Sequence, residues 1–228
     1  KLRERVVAQY PRNRVVILPQ TIHFADERNY DRTAALFNAH PDLHLFVRDE
    51  GGYEKAKRKF SACRVYLCPD MAHQLWPIAS TRRPERRTLH FLRNDIESPG
   101  AGQHQQAEPG NAADDRLDWD TLFNRFERRV VREFQRMCRL DKRLGSRLPI
   151  AWLWAKYTDY LIGKTIDRFS GYGEIRTSRL HGHILACLMD KPHRVIDNSY
   201  GKNAAYYRTW THRNGSAAME ARSAATVC

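Results

Sequence analysis

Long apolar runs are missing from this 228-residue chain. No stretch approaches the ~18–20 apolar residues that a membrane span needs. Cysteine is sparse: Cys63, Cys68, Cys138, Cys187 and Cys228 are odd in number and scattered. Cys63 and Cys68 do not stand at the two-residue gap of a zinc knuckle, so neither a disulfide framework nor a cysteine metal centre is expected. That usage, with no signal-peptide pattern at the start, predicts a reducing cytoplasm. No G-x-G-x-x-G and no P-loop occurs, so a dinucleotide or ATP cradle has no basis in the sequence. No helix-turn-helix, zinc-finger or RNP aromatic signature occurs either.

What is present is a basic globular composition. Hydrophobic residues make up 42% and the formal net charge is +13, which excludes disorder throughout and raises the question of an anionic partner. The cations concentrate in Arg82, Arg83, Arg86 and Arg87 and along Arg125 to Arg147. A solvated outer face explains them, as does a stripe on a membrane surface. Without a recognition motif, anionic lipid headgroups or a lipid diphosphate carrier fit better than nucleic acid.

Four runs rich in Val, Leu, Ile and aromatics read as buried parallel strands: Val15–Leu18, His44–Val47, Arg64–Leu67 and Thr88–Leu92. Helical stretches at Asp26–Ala39 and, after a Gly51-Gly52 turn, Tyr53–Phe60 separate the first three. The alternation predicts an open α/β sheet with helices on its faces. Residues 1–82 form one α/β half, 83–87 a linker and 88–210 a second half. Ser98–Asp115, with its Pro and Gly and no apolar period, reads as a mobile loop. Asp118–Arg143 repeats Trp119, Leu122, Phe126, Val130, Phe134 and Met137 at helical spacing and predicts one long amphipathic helix. Ile150–Phe169 is another helix, and 211–228 a disordered tail.

The densest chemistry lies at 174–203. A strand at Ile175–Thr177 runs into Ser178 as N-cap. A helix follows through Leu180, Ile184, Leu185 and Leu188 and stops at Asp190-Lys191-Pro192. A second strand, His193–Asp197, opens into a turn ending at Gly201-Lys202-Asn203. Arg179, His181 and His183 fall in the first turns of the helix, where unpaired N–H groups favour an anion. The planar fork of Arg179 suits a carboxylate or phosphate. His181 can donate to the same anion or act as the acid. His183 points about 200° away from it and reads as structural. Arg48 with Asp49, and Arg93 with Asp95, end two strands. Each combination is either an ion pair or a source of one ligand-facing arginine. Asp197, Asn198 and Lys202 can hold sugar hydroxyls or phosphate, or can be turn chemistry. Asp70, at the end of the third strand, reads equally as a strand-end site residue or as the N-cap of Met71–Leu75, and is left out of the candidate site.

At T-S-R-L-H-G-H-I (177–184), D-N-S-Y-G-K-N (197–203) and Trp210 the chain resembles the polysaccharide pyruvyltransferases of bacterial exopolysaccharide synthesis. L-P-Q-T-I-H-F (18–24), L-F-V-R-D (45–49), C-P-D-M-A (68–72) and L-R-N-D-I-E (92–97) match in the family's order. The resemblance implies two Rossmann-like halves arranged as in a GT-B glycosyltransferase, the amino-terminal half lacking its Gly-rich opening. It implies transfer of pyruvate from phosphoenolpyruvate to a hexose of a lipid-linked oligosaccharide, with no further cofactor and no metal. In that frame Arg179 and one of Arg48 or Arg93 bind the donor, and Asp197, Asn198 and Lys202 are further substrate contacts. His181 is acid or clamp, and His23, after the first strand, is the supporting base. The alternatives are a nucleotide-sugar glycosyltransferase and an inactive basic binding module. A location at the inner face of the cytoplasmic membrane follows from the same frame.

Overall fold

Short apolar runs become strands and the amphipathic stretches between them become helices, as the alternation predicts. A computed structural model describes residues 2–24, 26–93, 115–143, 145, 148–198 and 201–220. The chain divides into two units, Lys1–Pro77 with Val195–Cys228, and Ile78–Arg194. This differs from the expected halves, because the segment from Val195 on groups with the amino-terminal residues.

The first unit opens with α1 (Leu2–Gln9), β1 (Val15–Gln20), α2 (Glu27–Asn38), β2 (Leu43–Val47), α3 (Glu50–Lys59) and β3 (Arg64–Leu67). Its three strands are parallel in the order β1-β2-β3, with Ile17, Leu45 and Val65 in register. Val7, Ile17, Phe37, Leu45, Val47 and Phe60 share one buried cluster. Asp26 caps α2 by accepting the Arg28 N–H at 2.9 Å. Gly51-Gly52, expected as a turn, is instead the first turn of α3. Asp49 accepts the Gly52 N–H at 2.7 Å, and a Cβ on Gly52 would stand 2.9 Å from Val47 Cγ1, so the helix start needs a residue without a side chain.

The second unit holds β4 (Arg86–Phe91), β5 (Asp115–Leu117), α4 (Trp119–Leu122), α5 (Arg125–Arg143), α6 (Ile150–Ser170), β6 (Tyr172–Thr177), α7 (Leu180–Leu188) and β7 (His193–Val195). These are four strands of a five-stranded sheet, in the order β5-β4-β6-β7, and β4 is parallel to both β5 and β6. Leu89, Phe91, Phe169, Tyr172, Ile175 and Ala186 are buried together. The expected linker is part of this unit: the Glu85 and Arg86 N–H groups bond to the Gly171 carbonyl, and Arg86 and Arg87 already belong to β4. Most of the expected loop Ser98–Asp115 lies outside the described residues. Asp115 itself opens β5, where Arg86, Arg168 and Tyr172 all bond to its carboxylate.

The single long helix expected at 118–143 is broken. Asn124 and Glu127 bond each other's backbone N–H at 2.8 Å, a reciprocal cap that ends one helix and starts the next. After β7 the chain adds α8 (Lys202–Tyr206), a π-helical turn at Tyr207–Thr211 and β8 (Ala217–Met219) to the first unit. The tail expected to be disordered from 211 therefore includes a strand, and 221–228 lie outside the described residues. No helix of the described residues is long and apolar enough to cross a membrane.

Candidate functional site

Ligands of α/β sheets collect where parallel strands end. In the second unit three such ends lie side by side, because Leu117, Phe91 and Thr177 are in register across β5, β4 and β6. The residues that follow are Asp118, Leu92-Arg93 and Ser178-Arg179. The Thr177 hydroxyl donates to the Phe91 carbonyl at 2.9 Å and accepts the Arg179 N–H at 3.0 Å. The Arg93 N–H donates to Ser178 Oγ at 2.9 Å. Ser178, expected as the N-cap of α7, therefore ties β4 to β6, and Arg179 stands at the cap position.

Arg179 is gripped from one side. Its Nε and Nη2 donate to Asp118 Oδ1 and Oδ2 at 2.7 and 2.5 Å, a bidentate pair whose carboxylate is 1% exposed. This corrects the expectation that the same two-pronged edge holds a substrate anion: the edge is committed to a carboxylate of the protein. Asp118 also caps α4, accepting the Trp119 N–H at 2.7 Å. Two residues after Arg179, His181 is exposed on α7. Gly182 sits against the sheet, where a Cβ would come within 2.7 Å of both Phe91 Cδ1 and Thr177 Oγ1. That close approach sets α7 down over the strand ends.

His183 turns the other way. It is fully buried, and its Nδ1 lies 2.7 Å from His193 Nε2, whose Nδ1 faces the Lys191 carbonyl at 2.7 Å. Burial holds the His193 imidazole below its ordinary pKa. Cys187 Sγ lies 3.8 and 3.6 Å from the two ring nitrogens. These three side chains are a buried group with metal-type ligand atoms, which the linear spacing did not disclose. Two nitrogens on one tetrahedral ion stand about 3.3 Å apart, so the 2.7 Å contact is that of a hydrogen bond. Lys191 is buried too, donating to the Tyr172 and Ser170 carbonyls at 2.6 and 3.2 Å, and burial lowers its pKa.

In the first unit the other candidates are distributed over three places. His23 is exposed and lines a cavity of about 380 Å³ with Arg3, Gln20, Thr21 and Phe24. Arg48 is buried. Its Nε donates to Thr21 Oγ1 at 2.9 Å and its Nη1 to Asp70 Oδ2 at 3.0 Å, so one guanidinium joins the ends of β1, β2 and β3. The Arg48 partner is thus Asp70, not the adjacent Asp49. Asp70 also caps the 3₁₀ turn Met71–Leu75, one of its two readings from the sequence, by accepting the Ala72 N–H at 3.2 Å.

Asp197 and Asn198 brace the start of α8. Asp197 Oδ1 accepts the Ala204 N–H at 3.1 Å, and Asn198 Oδ1 accepts the Lys202 N–H at 2.8 Å. Gly201, at φ +74°, turns the chain into that helix. Arg93 is half-buried beside Arg179's strand end, and Asp95 lies outside the described residues. Asp118 was not foreseen as a site residue. Its only local signal is an Asp between a short strand and a helix, one residue past Leu117, whereas Arg93 and Arg179 stand two past Phe91 and Thr177.

The comparisons with known proteins agree over most of the chain. The EpsO protein of Bacillus subtilis, named as a pyruvyl transferase, is 44% identical over 209 residues, 91% of this chain and 63% of that protein. Pyruvyl transferase 1 of Schizosaccharomyces pombe is 26% identical, over 92% of this chain and 50% of its own length. The chain therefore spans about half to two thirds of these relatives. A solved structure, an uncharacterized protein of Klebsiella pneumoniae, shares the fold at a TM-score of 0.51 and 20% identity, over 91% of this chain and 64% of that one. The family described as polysaccharide pyruvyl transferase matches residues 1–200, and the chain belongs to that family.

Proposed function

We propose that this protein transfers pyruvate from phosphoenolpyruvate to a hexose of an exopolysaccharide repeat unit, forming a pyruvate ketal. The observation that carries the reading is the set Arg93, Asp118 and Arg179 on three adjacent strand ends, in a chain of the pyruvyl transferase family. The donor brings a phosphate and a carboxylate, and two arginines answer two anions. Asp118 fixes the Arg179 guanidinium, so Arg179 acts as a positioned cation and Arg93 takes the second anionic group. Arg48, held by Asp70 and Thr21, has no part in donor binding.

His181 protonates the donor's methylene carbon, which becomes the methyl group. The cationic carbon so formed accepts one sugar hydroxyl. The carbon–oxygen bond to phosphate then breaks, and a second hydroxyl closes the ketal. The two hydroxyl protons return to the histidine and to the departing phosphate. His23 as supporting base, and Asp197, Asn198 and Lys202 as contacts to hydroxyls or phosphate, rest on the family resemblance. So do a lipid-linked acceptor, a GT-B-like pairing of the two units and a peripheral place at an anionic membrane surface. No cofactor or metal enters the proposal.

Titration calorimetry tests the donor. Phosphoenolpyruvate should bind where UDP-glucose and a single-stranded oligonucleotide do not. Arg93→Met should weaken it by about 10- to 100-fold, the worth of a charge-assisted hydrogen bond. His181→Gln should keep most of that affinity and lower turnover by about 10²–10⁴-fold, the worth of a positioned acid. Binding of UDP-glucose without phosphoenolpyruvate would refute the reading.

A further inference from the structure

Helices α5 and α6 form an antiparallel hairpin. Phe134 stacks on Tyr157 and meets Trp154 edge-on, while Glu127 bonds Tyr160 and Lys164 further toward the base. At the other end the Asp141 carboxylate accepts the Leu148 N–H at 2.9 Å and closes the turn. The described part of that tip is apolar and uncovered: Met137, Leu140, Leu148, Trp152 and Leu153 are 38, 54, 47, 61 and 37% exposed. The only buried residues of α5 are Glu127 and Asp141, so none of its apolar side chains is fully buried. Large exposed apolar groups gathered at one place mark a contact surface.

The charge around them selects the occupant. Arg136, Arg139, Lys142 and Arg143 are all exposed at the same end of α5. From Arg136 to Leu153 the only acidic residue is Asp141, and it is buried. A second copy docking by the same tip would set these cations against their own kind. A nucleic acid would take the cations and leave Leu140, Leu148 and Trp152 in water. The boundary between lipid headgroups and acyl chains accepts both, with Trp at the interface, aliphatic side chains below it and long basic side chains reaching up to phosphate.

We propose that the tip of the α5–α6 hairpin is a membrane-docking element for anionic lipid, with Trp152, Leu140 and Leu148 entering the headgroup layer. The proposal deepens the membrane contact in the reading above by naming its surface. The test is co-sedimentation of the full-length protein with vesicles of phosphatidylglycerol and phosphatidylcholine in equal parts, against pure phosphatidylcholine. Binding should favour the anionic vesicles at least tenfold and weaken with salt. L140S/L148S/W152S should lower it at least tenfold. R139Q/K142Q/R143Q should lower it by roughly fivefold per charge at low ionic strength.

All six positions are exposed, so both variants should keep the parent's circular dichroism and melting temperature. The indole emission should shift to the blue on binding, by less in Trp152→Phe. Equal binding by parent and variants, no preference for the anionic lipid, or a lipid-free dimer abolished by the triple serine variant would each overturn the proposal. Phosphoenolpyruvate titrations on the same variants keep the two readings apart, because docking can be lost while donor affinity stays at the parent's value.

Discussion

Removing the Asp118 carboxylate should destabilise the second unit more than any surface change. The carboxylate accepts two charge-assisted bonds from Arg179 and one from the Trp119 N–H. Each bond to a charged partner is worth about 1.5–3 kcal/mol, and a helix cap about 1 kcal/mol. Removing one member of a buried pair costs about 3–5 kcal/mol, because the other is left desolvated. Asp118→Ala should therefore lose about 4–5 kcal/mol. Asp118→Asn, which keeps the cap and one bond to the guanidinium, should lose about 2–3 kcal/mol, half to two thirds of the full loss. Urea unfolding of the two variants, of Arg179→Met and of the double variant Asp118→Ala/Arg179→Met completes the cycle. The coupling should be about 2 kcal/mol or more, since Arg179→Met already forfeits the pair. A loss below ~1.5 kcal/mol for Asp118→Ala, or additivity within ~0.5 kcal/mol, would show that the pair seen at 2.7 and 2.5 Å holds nothing.

Glu127 supplies a pH test. Burial alone would raise its pKa, but the Lys164 ammonium, the Asn124 N–H and the Tyr160 hydroxyl outweigh it and hold the carboxyl below the ordinary 4.5. Its contribution is present above that value and lost as pH falls through the lowered one. The denaturation midpoint should therefore drop on acidification, and less steeply in Glu127→Gln; parallel acid limbs would contradict this. Gly182→Ala should lower stability by about 1–3 kcal/mol through overpacking against Phe91 and Thr177, visible as a lower melting temperature. Arg48→Met should lower the melting temperature and leave phosphoenolpyruvate affinity unchanged, and a selective loss of affinity would return Arg48 to the donor.

Strands β1 to β4 were legible because each is a four- to six-residue run rich in apolar residues between polar turns, and Arg64–Leu67 falls where its Val-Tyr-Leu pattern puts it; β5 and β8, three residues each, carry too short an apolar pattern to be read. Helices α2, α6 and α7 were legible from apolar spacing for the same reason. The break at Asn124 was overlooked because Phe123 and Phe126 continue the helical period across it. The Asn-x-x-Glu signature of a reciprocal cap was nevertheless present. Side-chain partners were less legible. Arg48 chose Asp70 over its neighbour Asp49, since Asp49 points back to cap its own helix. Asp118 and Arg179 are 61 residues apart and meet only because β5, β4 and β6 end in register. No local pattern carries such information.

The first unit is sewn shut by its latest-made residues. The Trp210 indole N–H bonds the Arg48 carbonyl across 162 residues, and the Tyr206 hydroxyl accepts the Asp70 N–H across 136. A ribosome adding ~5–20 residues per second delivers Trp210 roughly 8–30 s after Arg48. Throughout that interval the three strand ends of the amino-terminal sheet wait unfinished, while Ile78–Arg194 emerges whole and is free to fold. A nascent chain stalled before Tyr206 would thus carry an amino-terminal sheet without its Tyr206 and Trp210 contacts. The contacts that close the amino-terminal strand ends are supplied only after all of Ile78–Arg194 has been synthesised.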